Sequence, residues 1–346
     1  MKIQRIKKIL DVFIFNRHIT LKKFLNLGVI YIQHQFLKNS KVYGYPIRLV
    51  IEPTNFCNLN CALCHAAESN KELERGMMSF EDFKILIDEL KNYLFEIDLY
   101  NFGESLLNKD IYKMINYANK NKIKTNLATN LNVVDINKLL QSSLDTLILS
   151  IDGITQETYS KYRRGGDFNK VMNNLKEIIR RKKLFKKKNP KIIWQFLCMR
   201  HNEHEIPGLK KLTKRLGIKL DIKPVRLDTA VDKEIAENSR LNKKAWLPLD
   251  IKLIRKEYKT NKRPGPKSCI FIWNQAVVNW NGSVTPCCSI INHKKYKFGD
   301  IKKEKSFMNI WNNENYQNVR KMIRRMETNS HYEICSNCVK YGFVDV

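Results

Sequence analysis

The sequence predicts an α/β fold in which a parallel sheet is covered by helices and followed by a smaller cysteine-bearing unit. Two observations lead there. From Pro46 to Val225 apolar strand-like runs alternate with helical patterns six times over, and consecutive βα units pair in parallel with their helices outside. Beyond Val225 the alternation stops, and five of the nine cysteines lie in the last 80 residues, from Lys267 to Val346.

The predicted strands are Arg48–Glu52, Ile97–Asn101, Lys124–Ala128, Thr146–Ile151, Ile192–Cys198 and Lys219–Lys223. Helical periodicity separates them at Ser79 to Tyr93, Lys109–Asn121, Asp135–Gln141, Phe168 to Phe185 and Glu205–Leu216, the first opening on the capping pair Ser79 and Asp82. Residues 1–45 precede this alternation as a basic segment. Ile3, Ile6, Ile9, Leu10, Phe13 and Ile14, then Leu21, Phe24, Leu25, Val29, Ile32, Phe36 and Leu37, recur at helical spacing. The expectation is that these apolar faces pack on the barrel; the alternative is that they lie on an anionic membrane surface. The divisions are 1–45 N-terminal helical segment, 46–227 barrel, 228–266 charged linker or insert closed by Arg263-Pro264-Gly265-Pro266, and 267–346 C-terminal domain.

The chain has 346 residues and a hydrophobic fraction of 43%, enough for a real core in more than one typical domain and fewer than three. The basic N-terminus has no apolar core followed by small residues, and no run of 18 apolar residues occurs, so neither a secretory signal nor a membrane span is expected. Nine cysteines, odd in number and closely spaced, favour metal ligation in a reducing, cytoplasmic setting over a disulfide framework. The net charge of +29 reads either as a solvated lysine-rich surface or as attraction to an anionic partner. Its densest block, Arg180 to Lys188, ends a predicted helix, where cations complement the helix dipole.

Chemistry is concentrated after the first strand, in IEPTNFCNLNCALCH, where Cys57, Cys61 and Cys64 stand as C-x3-C-x2-C. Three thiolates leave a metal centre with an open position. They fit an iron–sulfur cluster with one free iron or, with His65, a zinc site. In parallel α/β folds reactive groups gather at the C-terminal strand ends. The second strand ends in Asn101-Phe102-Gly103-Glu104-Ser105, the third in Ala128-Thr129-Asn130, and the fourth in Ser150-Ile151-Asp152-Gly153, followed by Tyr162-Arg163-Arg164-Gly165.

Taken in this order, these motifs resemble those of the radical S-adenosylmethionine (radical SAM) superfamily, over roughly Pro46 to Cys338. The resemblance implies a partial (βα)6 TIM-like barrel and a [4Fe-4S] cluster on Cys57, Cys61 and Cys64. The free iron would chelate S-adenosylmethionine and cleave it reductively to a 5′-deoxyadenosyl radical. It further implies that Gly103 and Glu104 receive the methionine amino group, that Thr129 and Asn130 form the third strand-end element, that Ser150 and Asp152 lie near the ribose, and that Arg163, rather than Arg164, pairs with the methionine carboxylate. Leu63 stands where the family often has an aromatic residue, and Phe102 and Ser105 replace the first glycine and the proline of its Gly-Gly-Glu-Pro element.

The C-terminal cysteines resemble the SPASM and twitch auxiliary-cluster domains. Cys269 and Cys287 are spaced C-x17-C across the turn signal Asn281-Gly282, and Cys335 and Cys338 form a distant C-x2-C after a helix predicted at Ser306 to Met326. The resemblance implies one auxiliary [4Fe-4S] cluster on these four, suited to electron transfer, with a zinc ribbon as the alternative. Cys288 is surplus, and Cys198 reads as core. The implied enzyme is an oxidoreductase that abstracts hydrogen from an anionic sugar, nucleotide- or lipid-linked molecule, with Arg226 a candidate contact and a flavodoxin- or ferredoxin-type electron donor. A maturase of a ribosomally made peptide is the alternative. A non-catalytic metalloprotein bound to nucleic acid is the contrasting class, and nucleic acid is not the expected partner.

Overall fold

The computed structural model describes residues 18–33, 36, 39–64, 74–225, 243–254, 269–290 and 292–341. The predicted helix over Ile3–Ile14, His65, Arg226 and the Arg263–Pro266 turn lie outside the described residues.

Six parallel strands form the barrel sheet: β1 (Arg48–Ile51), β2 (Glu96–Asp98), β3 (Lys124–Thr129), β4 (Thr146–Ser150), β5 (Lys191–Cys198) and β6 (Lys219–Pro224). Helices α2 (Phe80–Leu90), α3 (Ile111–Lys120), α4 (Ile136–Gln141), α5 (Gln156–Tyr162), α6 (Phe168–Leu184) and α7 (Ile206–Leu216) follow the first five strands. Most starts are fixed locally: Ser79, Asp135, Thr155 and Asp167 each accept a backbone N–H three residues on. Strand alternation sends Leu49, Ile51, Ile97, Leu127, Leu147, Leu149, Trp194 and Phe196 outward, where they are buried under the helices. The opposite, inner face is polar. Arg48 bonds Asp98 at 2.9 Å, Asn126 bonds Asp98 at 2.9 Å, and Lys124 pairs with Glu96 at 3.2 Å.

The C-terminal segment does not stand apart from this sheet. After the short α8 (Phe271–Asn274), β7 (Gln275–Val278) runs parallel to β1 with Val50 opposite Val277, and β8 (Ser283–Thr285) and β9 (Gly299–Asp300) continue antiparallel. The full order is β6-β5-β4-β3-β2-β1-β7-β8-β9. The hairpin predicted at Asn281-Gly282 is present, with Gly282 at φ +90°.

The helix predicted over Ser306–Met326 divides into α9 (Phe307–Trp311) and α10 (Glu314–Arg324), because the Asn313 side chain accepts from Tyr316 N and starts a second helix. Behind them the Arg320 guanidinium is fully buried. It donates to the carbonyls of Ile272, Ser40 and Trp311 and lies 4.6 Å from the Trp311 ring. The last helix, α11 (Glu333–Tyr341), carries Cys335 and Cys338.

One packing expectation is reversed. Helix α1 (Leu21–Ile32) exists, but it meets the barrel through Lys23 and Asn26, both buried, while Leu21, Leu25, Val29 and Ile32 are exposed. Its neighbours there are backbone groups, which polar side chains satisfy and apolar ones cannot.

Candidate active site

The loop after β1 is held at both flanks. Asn55 accepts from Gly76 N at 2.9 Å and donates to Glu74 O at 2.7 Å. Further along, Asn60 N and Ala62 N donate to the carbonyls of Arg164 and Tyr162 at the end of α5, each at 3.0 Å. This pinning sets Cys57 half-buried, Cys61 buried and Cys64 exposed around the mouth of one cavity.

The cavity, of about 240 Å³, is lined by the three cysteines with Gly103, Glu104, Thr129, Asn130, Ser150 and Arg163. Every predicted barrel-site residue except Asp152 therefore meets there. Leu59, Tyr100, Asn101, Phe102, Ala128, Ile148 and Gln195 complete the wall. Gly103 has φ +81°, and a Cβ on it would stand 2.5 Å from Thr54 O and 2.6 Å from Phe56 O. No other residue lets the Glu104 loop approach the cysteine loop this closely.

Glu104 is 2% exposed. Its Oε2 accepts from Asn130 N at 2.7 Å and its Oε1 from Leu106 N at 3.2 Å. Burial raises its pKa, and those N–H groups and the Thr129 hydroxyl oppose the rise. Asn130 in turn donates to Asn58 Oδ1 at 2.9 Å, joining the third strand end to the cysteine loop.

Asp152, expected near a ribose, does not line the cavity. It is fully buried, outside the cavity lining, with Oδ2 taken by Arg163 Nε at 2.6 Å and Oδ1 by Leu197 N at 2.6 Å. Arg163 Nη1 lies 3.8 Å from Cys61 Sγ. Burial raises Asp152 and alone would lower Arg163, whereas the pairing favours charge on both. The pair is ionised, because the guanidinium keeps its proton and the Leu197 N–H adds to its hold on the carboxylate.

Burial pushes the Cys57 thiol up to about 11 and also raises Cys61, with Cys64 adding to both shifts and Arg163 opposing the rise at Cys61. Among the described residues no three His, Cys, Asp or Glu side chains converge tightly enough to hold a single ion. A zinc ion needs its thiolates at about 2.3 Å. Three thiols around a cavity, near one another without converging, instead suit a cluster several ångströms across, one iron per thiolate.

The cysteines of the second set lie within electrostatic reach of one another. Cys335 feels Cys287, Cys338 and Cys269, and Cys287 feels Cys288, Cys338 and Cys269, after burial has raised both well above the ordinary thiol range. The i,i+3 spacing on α11 puts Cys335 and Cys338 on one helix face. Ile290, Ile334 and Tyr296 pack around Cys287 and Cys338. Cys288 is exposed and close enough to Tyr100 to raise that phenol, after burial and Asp98. Cys198 is buried in the core as expected.

Sequence reasoning missed Glu52. At the C-terminal end of β1 it is fully buried, and burial lifts its carboxyl to about 8. The backbone N–H groups of Phe102 and Trp280 approach it and partly offset that rise, yet neither completes a well-formed hydrogen bond. The sequence signal was an acid directly after the apolar run Leu49-Val50-Ile51.

A family model for the radical SAM superfamily matches residues 51–186, and one for an iron-sulfur cluster-binding domain, SPASM, matches residues 269–339. Fe-coproporphyrin III synthase of Methanosarcina barkeri is 28% identical over 179 residues, 51% of this chain and 41% of that protein. A probable GTP 3′,8-cyclase of Methanocaldococcus jannaschii is 30% identical over 184 residues, 52% of this chain and 59% of that protein. The chain thus spans about half the length of the curated relatives it matches. Among solved structures, Streptococcus suis SuiB bound to S-adenosylmethionine has a TM-score of 0.62 at 16% identity, covering 88% of this chain and 75% of that one. Native anSMEcpe with bound AdoMet has a TM-score of 0.57 at 18% identity, covering 86% and 93%. BtrN in complex with AdoMet and 2-DOIA has 0.51 at 18%, covering 85% and 92%. At these identities the likeness is one of fold.

Proposed function

The chain belongs to the radical SAM superfamily of iron–sulfur, S-adenosylmethionine-dependent enzymes and carries a SPASM domain, and from that premise we propose that it is a two-cluster oxidoreductase acting on a small polar substrate. The observation that supports the proposal is that Cys269, Cys287, Cys335 and Cys338 lie within electrostatic reach of one another, in a domain whose strand β7 pairs directly with β1. Four protein thiolates complete a cluster's ligands and leave it to exchange electrons.

When loaded and reduced, the cluster on Cys57, Cys61 and Cys64 with S-adenosylmethionine supplies a hydrogen-abstracting 5′-deoxyadenosyl radical. The chain's own residues bind and orient. Glu104, anchored by two backbone N–H groups, keeps lone pairs for an ammonium. Arg163 offers its remaining N–H donors to a carboxylate, with Asp152 fixing its plane from behind. Ser150 and Asn130 line the wall where a ribose would lie. A cluster held by Cys269, Cys287, Cys335 and Cys338 would accept the electron the substrate gives up after hydrogen abstraction, and a flavodoxin- or ferredoxin-type protein would supply the separate electron that cleaves S-adenosylmethionine.

The polar inner face supports a hydroxylated or charged small molecule. Asn101, Ser150 and Gln195 line the cavity beside Glu104 and Arg163, so its wall offers hydrogen-bonding groups to such a molecule. A modified peptide is the competing substrate class, and a short precursor gene beside this one would favour it.

Anaerobically reconstituted protein with reductant and S-adenosylmethionine tests the reading. It should yield 5′-deoxyadenosine, and the product should vanish when Cys57, Cys61 and Cys64 are all replaced by alanine. Stoichiometric zinc with iron near zero would overturn the proposal.

A further inference from the structure

Helix α1 turns its apolar side to solvent. Lys23 Nζ donates to the carbonyls of His18 and Lys122, Asn26 exchanges hydrogen bonds with the Tyr45 backbone, and Gln33 with Lys41 O and Tyr43 N. Leu21, Leu25, Val29 and Ile32, spaced four, four and three residues apart, form the opposite stripe, and Phe36 lies beyond them. Leu21 is 73% exposed and Phe36 72%. A contiguous apolar stripe of this kind marks an interaction surface.

A second exposed apolar feature lies at the same end of the barrel. Leu184 and Phe185, 65% and 56% exposed, sit inside Arg180–Lys188, the densest cationic block of the chain. Asp145, just before β4, joins the two: its Oδ1 lies 3.2 Å from His18 Nε2 at the approach to α1 and 3.4 Å from Asn189 Nδ2 directly after the block. Lys122, which receives Lys23, precedes β3. All these points lie at the N-terminal ends of the strands, opposite the cavity.

We propose that this end of the barrel docks on an anionic phospholipid surface, with the α1 stripe and Leu184-Phe185 entering the acyl boundary and the surrounding lysines meeting the phosphates. Charge selects the occupant. The sequence up to Ile47 holds nine Lys or Arg and one acid, and the whole chain carries +29. Apolar side chains within cation-rich stretches of sequence match an anionic bilayer, whereas a second copy would bring two strongly positive chains together. The docking is independent of the catalytic reading, since none of its residues touches the cavity.

Cosedimentation of the full chain with vesicles tests it. Vesicles of equal phosphatidylglycerol and phosphatidylcholine should bind at least tenfold more protein than phosphatidylcholine alone, and 1 M salt should weaken that binding. Leu25→Ser with Ile32→Ser should lower binding tenfold, and so should Leu184→Ser with Phe185→Ser. Both variants should retain the wild-type melting temperature, since they alter exposed side chains. Equal binding to both vesicle types, or unchanged binding by both variants, would overturn the proposal. So would a wild-type dimer that the α1 variant converts to monomer, which would assign the face to a second copy.

Discussion

Arg163 reaches Asp152 at 2.6 Å on one side and Cys61 Sγ at 3.8 Å on the other, so one guanidinium ties a strand-end acid to the cysteine loop. The Asp152 side chain is closed to water at 0% exposure, whereas Arg163 keeps 14% of its side chain open where it lines the cavity.

Replacing Asp152 by Asn should therefore act through Arg163. Removing one partner of a buried ion pair leaves an uncompensated charge and costs roughly 3–5 kcal/mol. Chemical denaturation should show a loss of that order, and S-adenosylmethionine binding should weaken along with it. A variant as stable as the wild type would show that the pair does not position the arginine.

Gly103→Ala sets a Cβ against two carbonyl oxygens and forces an L-residue to a positive φ. The expected destabilisation is about 1–3 kcal/mol. Calorimetric titration should show weakened S-adenosylmethionine binding, because relief of the clash moves Glu104 away from Asn130 N.

Glu52 gives the fold a pH dependence with a definite sign. Its folded-state value of about 8 exceeds the unfolded value of 4.5, so the neutral acid is favoured on folding. Its contribution is present in full below the unfolded value and lost as pH rises through about 8, a change on the order of a few kcal/mol. Glu52→Gln should hold its stability from pH 5 to 9 while the wild type loses it. Parallel pH profiles for the two proteins would contradict this account.

Iron content separates the two cysteine sets. Reconstituted wild type should hold about eight iron atoms per chain as two cubane clusters. Cys335→Ala with Cys338→Ala should retain about half, and should still form 5′-deoxyadenosine without substrate. Loss of all the iron in this variant would point to one shared centre.

The parts of the site legible in the sequence were those that chemistry confines to short spacings. The C-x3-C-x2-C loop, Gly103-Glu104 and Thr129-Asn130 all fall at strand ends, where the alternation of elements had placed them. Helix α5 was missed because QETYSKY is short, buries only Tyr159 and Tyr162 as large side chains, and is set by the Thr155 cap. Helix α11 was missed because Cys335 and Cys338 read as ligands and not as a helix face. Asp152 was legible as a site residue but not as the partner of Arg163, since a ribose and a guanidinium both suit a short acid. The parallel pairing of Val50 with Val277 had no local signature at all, joining segments more than 200 residues apart.

That last pairing bears on how the chain can be divided. Strand β1 makes one ladder with β2 and its other ladder with β7. Cutting the chain before Cys269 would remove β7 and bare a row of backbone donors and acceptors along β1, directly beneath the cysteine loop. An uncovered edge of this kind recruits other strands and promotes aggregation. The cluster-binding tail is thus also the selvedge of the barrel, and a barrel expressed without it should precipitate before its chemistry can be assayed.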